Sequence, residues 1–85
     1  MINTNIFVTE YYKVLKLIYS HQVELAGEIY SPVTQEEIGK ELGFSKVKAN
    51  SIVKELIEKE FITCLIRGKY IVTDAGIEVL KKINL

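Results

Sequence analysis

The sequence predicts a single, mainly α-helical (α+β) domain over residues 1–85, in the order helix, helix, helix, β-hairpin, helix. Three observations predict this fold class. Apolar residues recur at helical spacing in four segments. Two of these segments carry helix start and stop signals and lie only a few residues apart. The stretch after them is rich in β-branched and aromatic residues on either side of "RGK", which is typical of a hairpin.

The first helix is expected over residues 8–22. One apolar stripe consists of Val8, Tyr11, Tyr12, Leu15, Ile18 and Tyr19. A second stripe of Phe7, Val14 and Leu17 makes the apolar arc wider than that of a helix with one core-facing side. We therefore predict a homodimer with the N-terminal helix in its interface. The alternative is that residues 23–33 or the last helix cover this surface within one chain.

Residues 23–33, "VELAGEIYSPV", have no clean period, because Gly27 and Pro32 interrupt them. Neither the period of a strand nor that of a helix can be assigned to them. We predict an irregular connection here, with a short extended piece near residues 29–33.

The second helix is predicted by its local end signals. Thr34 is the expected N-cap, and Glu37 three residues later completes a capping box. Val33 and Ile38 occupy the positions of a hydrophobic staple. Gly43 is expected to end the helix in the left-handed conformation.

The third helix is expected to follow the N-cap Ser45 and to run to about Glu60. Its core stripe, at helical spacing, is Ala49, Ile52, Val53 and Leu56. The opposite face consists of Val47, Asn50, Ser51, Lys54 and Glu58.

The remaining residues predict a hairpin and a short helix. The hairpin is expected over residues 61–73, with Arg67, Gly68 and Lys69 at its tight turn. The last helix is expected to begin after the N-cap Thr73. Its apolar side consists of Ile77, Leu80 and Ile83.

The two middle helices are joined by "GFS", a spacing that suits a helix-turn-helix over about residues 34–60. Gly39 is small where the two helices must approach closely, and Gly43 can adopt the backbone that the turn needs. The run "TQEEIGKELGFSKVKANSIVKELIEKEFI", the hairpin "TCLIRGKYIVT" and the following "TDAGIEVL" resemble the winged helix-turn-helix superfamily of bacterial DNA-binding regulators, most closely small members of the MarR or PadR kind. The resemblance covers roughly residues 8–83. It implies a three-helix core, a two-stranded wing and a short C-terminal helix.

The charge is uneven along a chain that is neutral overall. Residues 1–44 have three lysines and six glutamates, a net charge of −3, and residues 45–85 have a net charge of +3. The run "SKVKANSIVK" has three lysines and no acid. Taken alone, such a run is more often a solvated helix face than a binding site. Acids at the start of a recognition helix would be repelled by phosphate, which is why their absence here favours DNA.

The resemblance therefore predicts that the third helix, residues 46–59, enters the major groove of double-stranded DNA. Lys46 and Lys48 flank its start, Asn50 and Ser51 could read base edges, and Lys54 could meet a phosphate or a guanine. The wing tip would lie over the neighbouring backbone or minor groove. The predicted DNA-binding residues are Thr34, Ser45, Lys46, Val47, Lys48, Asn50, Ser51, Lys54, Arg67 and Lys69.

These features favour a sequence-specific DNA-binding protein that regulates transcription. The neutral net charge keeps two alternatives open: a winged helix that binds proteins, or a DNA-binding component of replication or plasmid-partition machinery. A redox or ligand sensor would need an exposed Cys64 or a pocket.

Other function classes find little support in the sequence. It contains no catalytic set, no glycine-rich phosphate loop and no metal-ligand spacing, so we expect neither enzyme activity nor a cofactor. No signal peptide or membrane-spanning run is visible, and the single cysteine fits the cytoplasm. The sequence does not indicate which small-molecule effector, if any, the protein binds.

Overall fold

The computed structural model describes residues 4–82, with side chains from residue 10 onward. Its elements are α1 (Thr4–Ser20), β1 (Val23–Leu25), β2 (Glu28–Pro32), α2 (Gln35–Leu42), α3 (Lys46–Glu58), β3 (Ile62–Ile66), β4 (Lys69–Val72) and α4 (Asp74–Lys82). The four strands form one antiparallel sheet in the order β1-β2-β4-β3. The predicted α+β class is confirmed, and the architecture is compatible with a winged helix. None of the described helices is long and apolar enough to cross a bilayer.

The irregular connection predicted for residues 23–33 was wrong, because these residues form a second hairpin. The short extended piece expected near residues 29–33 corresponds to its second strand, β2. Strands β1 and β2 pair with Val23 opposite Tyr30 and Leu25 opposite Glu28. The two turn residues, Ala26 and Gly27, have φ of 54° and 83°, as expected for a tight turn that matches the twist of the strands. Most residues of this hairpin are exposed, so burial imposes no alternation that the sequence could display.

The predicted two-stranded wing consequently belongs to a larger sheet. Strands β3 and β4 pair as the hairpin pattern indicated, with Ile62 opposite Val72. Strand β2 also pairs with β4, with Ser31 opposite Tyr70 and Pro32 opposite Lys69. The sheet thereby joins the segment before α2 to the segment after α3.

Helix α1 lies at the centre of the fold and contacts α2, α3, α4, β2 and β4. Val14 is 0% exposed and Leu17 is 7% exposed within the single chain. The second apolar stripe is thus covered internally at these two residues, which removes part of the reason for predicting a homodimer. The side chains of Phe7 and Val8 lie outside the described residues, as does Ile83 of the last helix.

The buried hydroxyl of Ser31 ties the sheet to α1. Ser31 is 0% exposed, and its hydroxyl donates a hydrogen bond to the carbonyl of Ile18 in the last turn of α1. A buried hydroxyl is costly unless it finds a partner, and the end of a helix supplies a free carbonyl. This contact anchors β2 beneath α1.

The predicted ends of α2 are confirmed. The Thr34 N–H donates to the Glu37 carboxylate at 2.8 Å, and the Glu37 N–H donates to the Thr34 hydroxyl at 3.1 Å. The hydrogen bonds from Thr34 lower the pKa of the Glu37 carboxyl, because they stabilise its ionised form. Gly43 ends the helix with φ of 75°.

Helix α3 starts at Lys46 as expected and ends at Glu58, two residues before the predicted end. Glu60 takes the left-handed conformation with φ of 63°. The N–H groups of Glu60 and Phe61 donate to the carbonyls of Ile57 and Leu56 at 3.0 and 2.9 Å. This pair of bonds satisfies the last carbonyls and turns the chain into β3.

Gly39 marks the closest approach between α2 and the turn that follows it. The Phe44 N–H donates to the Gly39 carbonyl at 2.7 Å. A Cβ atom on Gly39 would lie 2.6 Å from the Phe44 carbonyl oxygen, which is a backbone atom. The predicted need for a small residue at this position is confirmed.

Replacing Gly39 with alanine should destabilise the protein, although alanine is the better helix former. Helix propensity alone would stabilise the variant by about 1 kcal/mol. The steric conflict with the Phe44 carbonyl should instead cost about 1–3 kcal/mol net, as overpacking does. Urea unfolding of Gly39→Ala measures the sign, with exposed Lys40→Ala as the control on the same helix. An increase in stability for Gly39→Ala would contradict the close approach.

Candidate nucleic-acid interface

Helix α3 has a buried side and an exposed side, as the sequence predicted. Ala49, Ile52, Val53 and Leu56 are buried. The exposed residues are Lys46, Val47, Lys48, Asn50, Ser51, Lys54 and Glu58. The Ser45 hydroxyl accepts a hydrogen bond from the Lys48 N–H at 3.1 Å, which fixes the start of the helix. The first two turns therefore present two amide or hydroxyl side chains between lysines.

A cleft of about 430 Å³ lies beside this exposed side. It is lined by Thr34, Gln35, Glu36, Lys46, Arg67, Gly68 and Tyr70. These residues come from the start of α2, the start of α3 and the β3–β4 turn. Three of the predicted DNA-binding residues, Thr34, Lys46 and Arg67, are thus brought together from positions far apart in the sequence.

Two cationic side chains and one acidic side chain line the cleft. Lys46 and Arg67 supply positive side chains, and Glu36 supplies a negative one. The N–H groups at the N-terminus of α2 add partial positive charge, but Glu36 and Glu37 lie in its first turn and the Thr34 N–H is already bonded to Glu37. This arrangement can bind the phosphate of a nucleic-acid backbone.

The two cations of the β3–β4 turn have different surroundings. Arg67 is exposed and lines the cleft. The Lys69 ammonium lies 4.8 Å from the centre of the Tyr30 ring, a favourable cation–π distance. Gly68, with φ of 84°, separates them. The sequence offers no way to tell the two residues apart, but the structure places them differently.

Lys48 also has partners within the chain. Its ammonium pairs with the Glu10 carboxylate at 2.5 Å and lies 4.5 Å from the centre of the Phe44 ring. Glu10 belongs to α1, so Lys48 is on the side of α3 that faces α1. The sequence did not indicate this pair, because its members are 38 residues apart.

A second polar contact between α1 and α3 lies two helical turns after Lys48, on the side of α3 that faces α1. The Tyr11 hydroxyl of α1 donates a hydrogen bond to the Glu55 carboxylate of α3. This bond, followed by burial and the nearby carboxylates, raises the pKa of Tyr11. Since Lys48 and Glu55 are seven residues apart, they share one side of the helix. Adjacent residues of α1 therefore hold α3 near both of its ends.

The structure also shows the features that a sensor would need. An apolar groove of about 190 Å³ is lined by Tyr11, Tyr12, Leu15, Glu55, Leu56, Lys59, Phe61 and Val79. Cys64 is an exposed free thiol, and it donates to the Ile66 carbonyl at 3.2 Å. Within residues 4–82, no group of three or more metal-ligating side chains comes together.

Comparisons with known proteins identify a shared fold. No protein-family profile matches the sequence, and no curated protein matches it. The reduced (FeII) CO-sensing protein from R. rubrum matches with a TM-score of 0.77 and 18% identity, over 92% of this chain and 37% of that one. A CRP/FNR-family transcriptional regulator from Thermus thermophilus matches with a TM-score of 0.64 and 18% identity, over 86% of this chain and 39% of that one.

These matches support a shared fold and no finer subgroup. At 18% identity the likeness concerns the fold alone. The chain spans under two fifths of each matched protein. A winged-helix regulator fold is consistent with both, whereas the resemblance to the MarR or PadR kind gains no support from them.

Replacing Tyr11 with phenylalanine tests the α1–α3 contact through its pH dependence. A raised folded-state pKa means that the contact stabilises the protein below the ordinary tyrosine value of 10.0, and that this stability is lost as the pH rises through the folded value. We expect Tyr11→Phe to cost about 1 kcal/mol at pH 7. We also expect its unfolding free energy to fall less steeply than that of the parent above pH 10.

Urea unfolding at pH 7, 9 and 11 measures both effects. Tyr19→Phe is the control, because Tyr19 is a half-buried tyrosine on the same helix. Burial also raises the pKa of Tyr70. Because Tyr70 is present in the parent and in both variants, its contribution to the pH dependence of stability is the same in all three. Equal alkaline slopes for the parent and Tyr11→Phe would show that the bond to Glu55 is not formed in solution.

Proposed function

We propose that this protein binds double-stranded DNA sequence-specifically and thereby regulates transcription. The observation that carries the proposal is the position of the exposed side of α3 beside the cleft of Lys46 and Arg67. Helix α3 would lie in the major groove, which is wide enough for an α-helix. The fold shared with a CRP/FNR-family transcriptional regulator supports this function.

In this proposal the phosphate contacts come from the cleft and the base contacts from the helix. Lys46 and Arg67 would bind the backbone of one strand, together with the start of α2 at Thr34. Asn50 would pair with an adenine edge, and Ser51 lies beside it on the same exposed face. Lys54, one turn after Asn50, would bind a phosphate or a guanine.

Three of the remaining residues support the interface more than they contact DNA. The Ser45 hydroxyl caps α3. The ammonium groups of Lys48 and Lys69 already have partners, so a phosphate would compete with Glu10 for the first and with the Tyr30 ring for the second. We assign these two lysines to holding α3 and β4 in position.

A homodimer remains part of the proposal, because two copies would bind two half-sites about one helical turn apart. The internal burial of Val14 and Leu17 leaves the N-terminal end of α1, where Phe7 lies, as the expected contact region. A protein-binding module remains the alternative function. It is favoured by the exposure of Leu25 and Ile29 on the β1–β2 hairpin, since exposed apolar surface is typical of protein interfaces.

The Asn50→Ala variant tests base recognition. An uncharged amide gains little from general attraction to phosphate, so its loss should affect the preferred site and spare non-specific binding. We expect a loss of about 1–3 kcal/mol on the preferred duplex, with selectivity relaxed at one base pair. Lys46→Ala should weaken all duplexes alike, and Lys54→Ala should do the same where Lys54 binds a phosphate rather than a guanine. The measurements are the affinities for a preferred site selected from random DNA and for an unrelated duplex, at one salt concentration.

Melting temperatures of the three variants are the control for folding. Because all three residues are exposed, we expect these temperatures to match that of the parent. If Asn50→Ala binds its site as tightly and selectively as the parent, direct readout by Asn50 is wrong.

The turn cations provide a separate test, because Arg67 and Lys69 differ in surroundings. Each lost phosphate contact lowers the slope of log affinity against log salt by about 0.9. Arg67→Ala should therefore reduce the slope by about one unit, with no change in preferred sequence. Lys69→Ala should change it much less, since its ammonium lies over Tyr30. Equal slope losses would show that both cations reach the backbone.

A further inference from the structure

Among the large apolar residues that the structure describes, Val47 has the most exposed side chain. It is 79% exposed, against 64% for Leu25 and 59% for Ile66. It belongs to the first turn of α3, two residues after the N-cap Ser45. Its neighbours on the helix surface, three, four and seven residues later, are Asn50, Ser51 and Lys54.

The fold does not require a valine at this position. The core side of α3 is formed by Ala49, Ile52, Val53 and Leu56, and Val47 is on the opposite side. A β-branched residue is a poorer helix former than alanine or lysine. Single exposed apolar residues are common, so exposure alone would mean little. What distinguishes Val47 is its direction: it points directly away from the core side of α3, on the face that would contact base pairs in the proposed function.

The chemistry of the major groove narrows what Val47 can recognise. A valine side chain neither donates nor accepts hydrogen bonds, so the polar edges of guanine, adenine and cytosine offer it nothing. The C5-methyl group of thymine is the apolar group that a base pair presents in this groove. The two methyl groups of a valine with a stiff χ1 angle form a fixed apolar surface for it.

We propose that Val47 is a specificity-determining residue that reads the 5-methyl group of a pyrimidine, thymine in unmodified DNA. This inference rests on the proposed function and adds the identity of one base. Asn50 and Ser51, on the same face, would read polar edges next to the methyl group. Burial of one methyl group corresponds to about a three- to fivefold gain in affinity.

Deoxyuridine is the probe for this contact, because it differs from thymidine only by lacking the methyl group. Each thymine of a preferred duplex, selected from random DNA, is replaced in turn. We expect one replacement to weaken binding by the parent protein about three- to fivefold. With Val47→Ala, the same replacement should have a clearly smaller effect, because the two γ-methyl groups that contact the base methyl group are gone.

Two controls separate the methyl contact from changes in DNA shape or in folding. Lys54→Ala should retain the full thymine-to-deoxyuridine difference at the critical position. At that position, the parent should bind 5-methylcytosine about three- to fivefold more tightly than cytosine, and Val47→Ala should show a clearly smaller difference. Val47→Ala should stay folded, since the residue is exposed and alanine favours the helix.

The possible results distinguish this inference from the function on which it rests. If the parent selects a sequence but no thymine shows coupling with Val47→Ala, the methyl contact is refuted and sequence-specific binding stands. A selected sequence without thymine opposite α3 refutes the contact as well. If the parent selects no sequence, the proposed function fails and the inference fails with it.

Discussion

The backbone contact between Gly39 and Phe44 is the constraint on which the rest of the structure depends. The Phe44 N–H donates to the Gly39 carbonyl, and the two segments are too close for any side chain at residue 39. This contact holds the turn against α2 and so sets the direction in which α3 leaves it. Because the start of α3 lies beside the start of α2, Lys46 can line one cleft with Thr34 and Arg67.

Helix α1 supplies the second constraint, since it packs against three helices and two strands. Its apolar residues fill the core, while Glu10 and Tyr11 form polar contacts with α3 at Lys48 and Glu55. The contacts are on the side of α3 away from the cleft. One side of α3 thus serves to hold the helix, which leaves Val47, Asn50, Ser51 and Lys54 exposed and free of packing.

The distribution of charge explains how a neutral chain can have a surface suited to DNA. Overall neutrality limits non-specific attraction to a polyanion. Around the cleft, Lys46 and Arg67 face one acid, Glu36, while Glu10 neutralises Lys48. In the proposed complex this balance of charges would limit phosphate affinity, and base contacts along α3 would then supply a larger share of the binding free energy. Such a surface favours selectivity over tight non-specific binding.

The sequence by itself determined the helices, their caps and the turn between α2 and α3. Those signals are local: the reciprocal bonds of Thr34 and Glu37 connect residues three apart, and the periodicity of α3 follows from its own repeat. It also indicated the exposed side of α3, because a helix with Ala49, Ile52, Val53 and Leu56 inward must turn Asn50 and Lys54 outward.

Tertiary structure decided what depends on residues distant in the chain. The β1–β2 hairpin was missed because its strands are largely exposed and so lack the alternation that burial imposes. Val14 and Leu17 were predicted to lie in a homodimer interface, because the sequence cannot show how many elements of the same chain pack around α1. The different surroundings of Arg67 and Lys69, and the pairing of Lys48 with Glu10, follow from strand register and helix packing. A sequence gives the charge of a side chain, but only the folded chain determines which opposite charge or aromatic ring lies within reach of it.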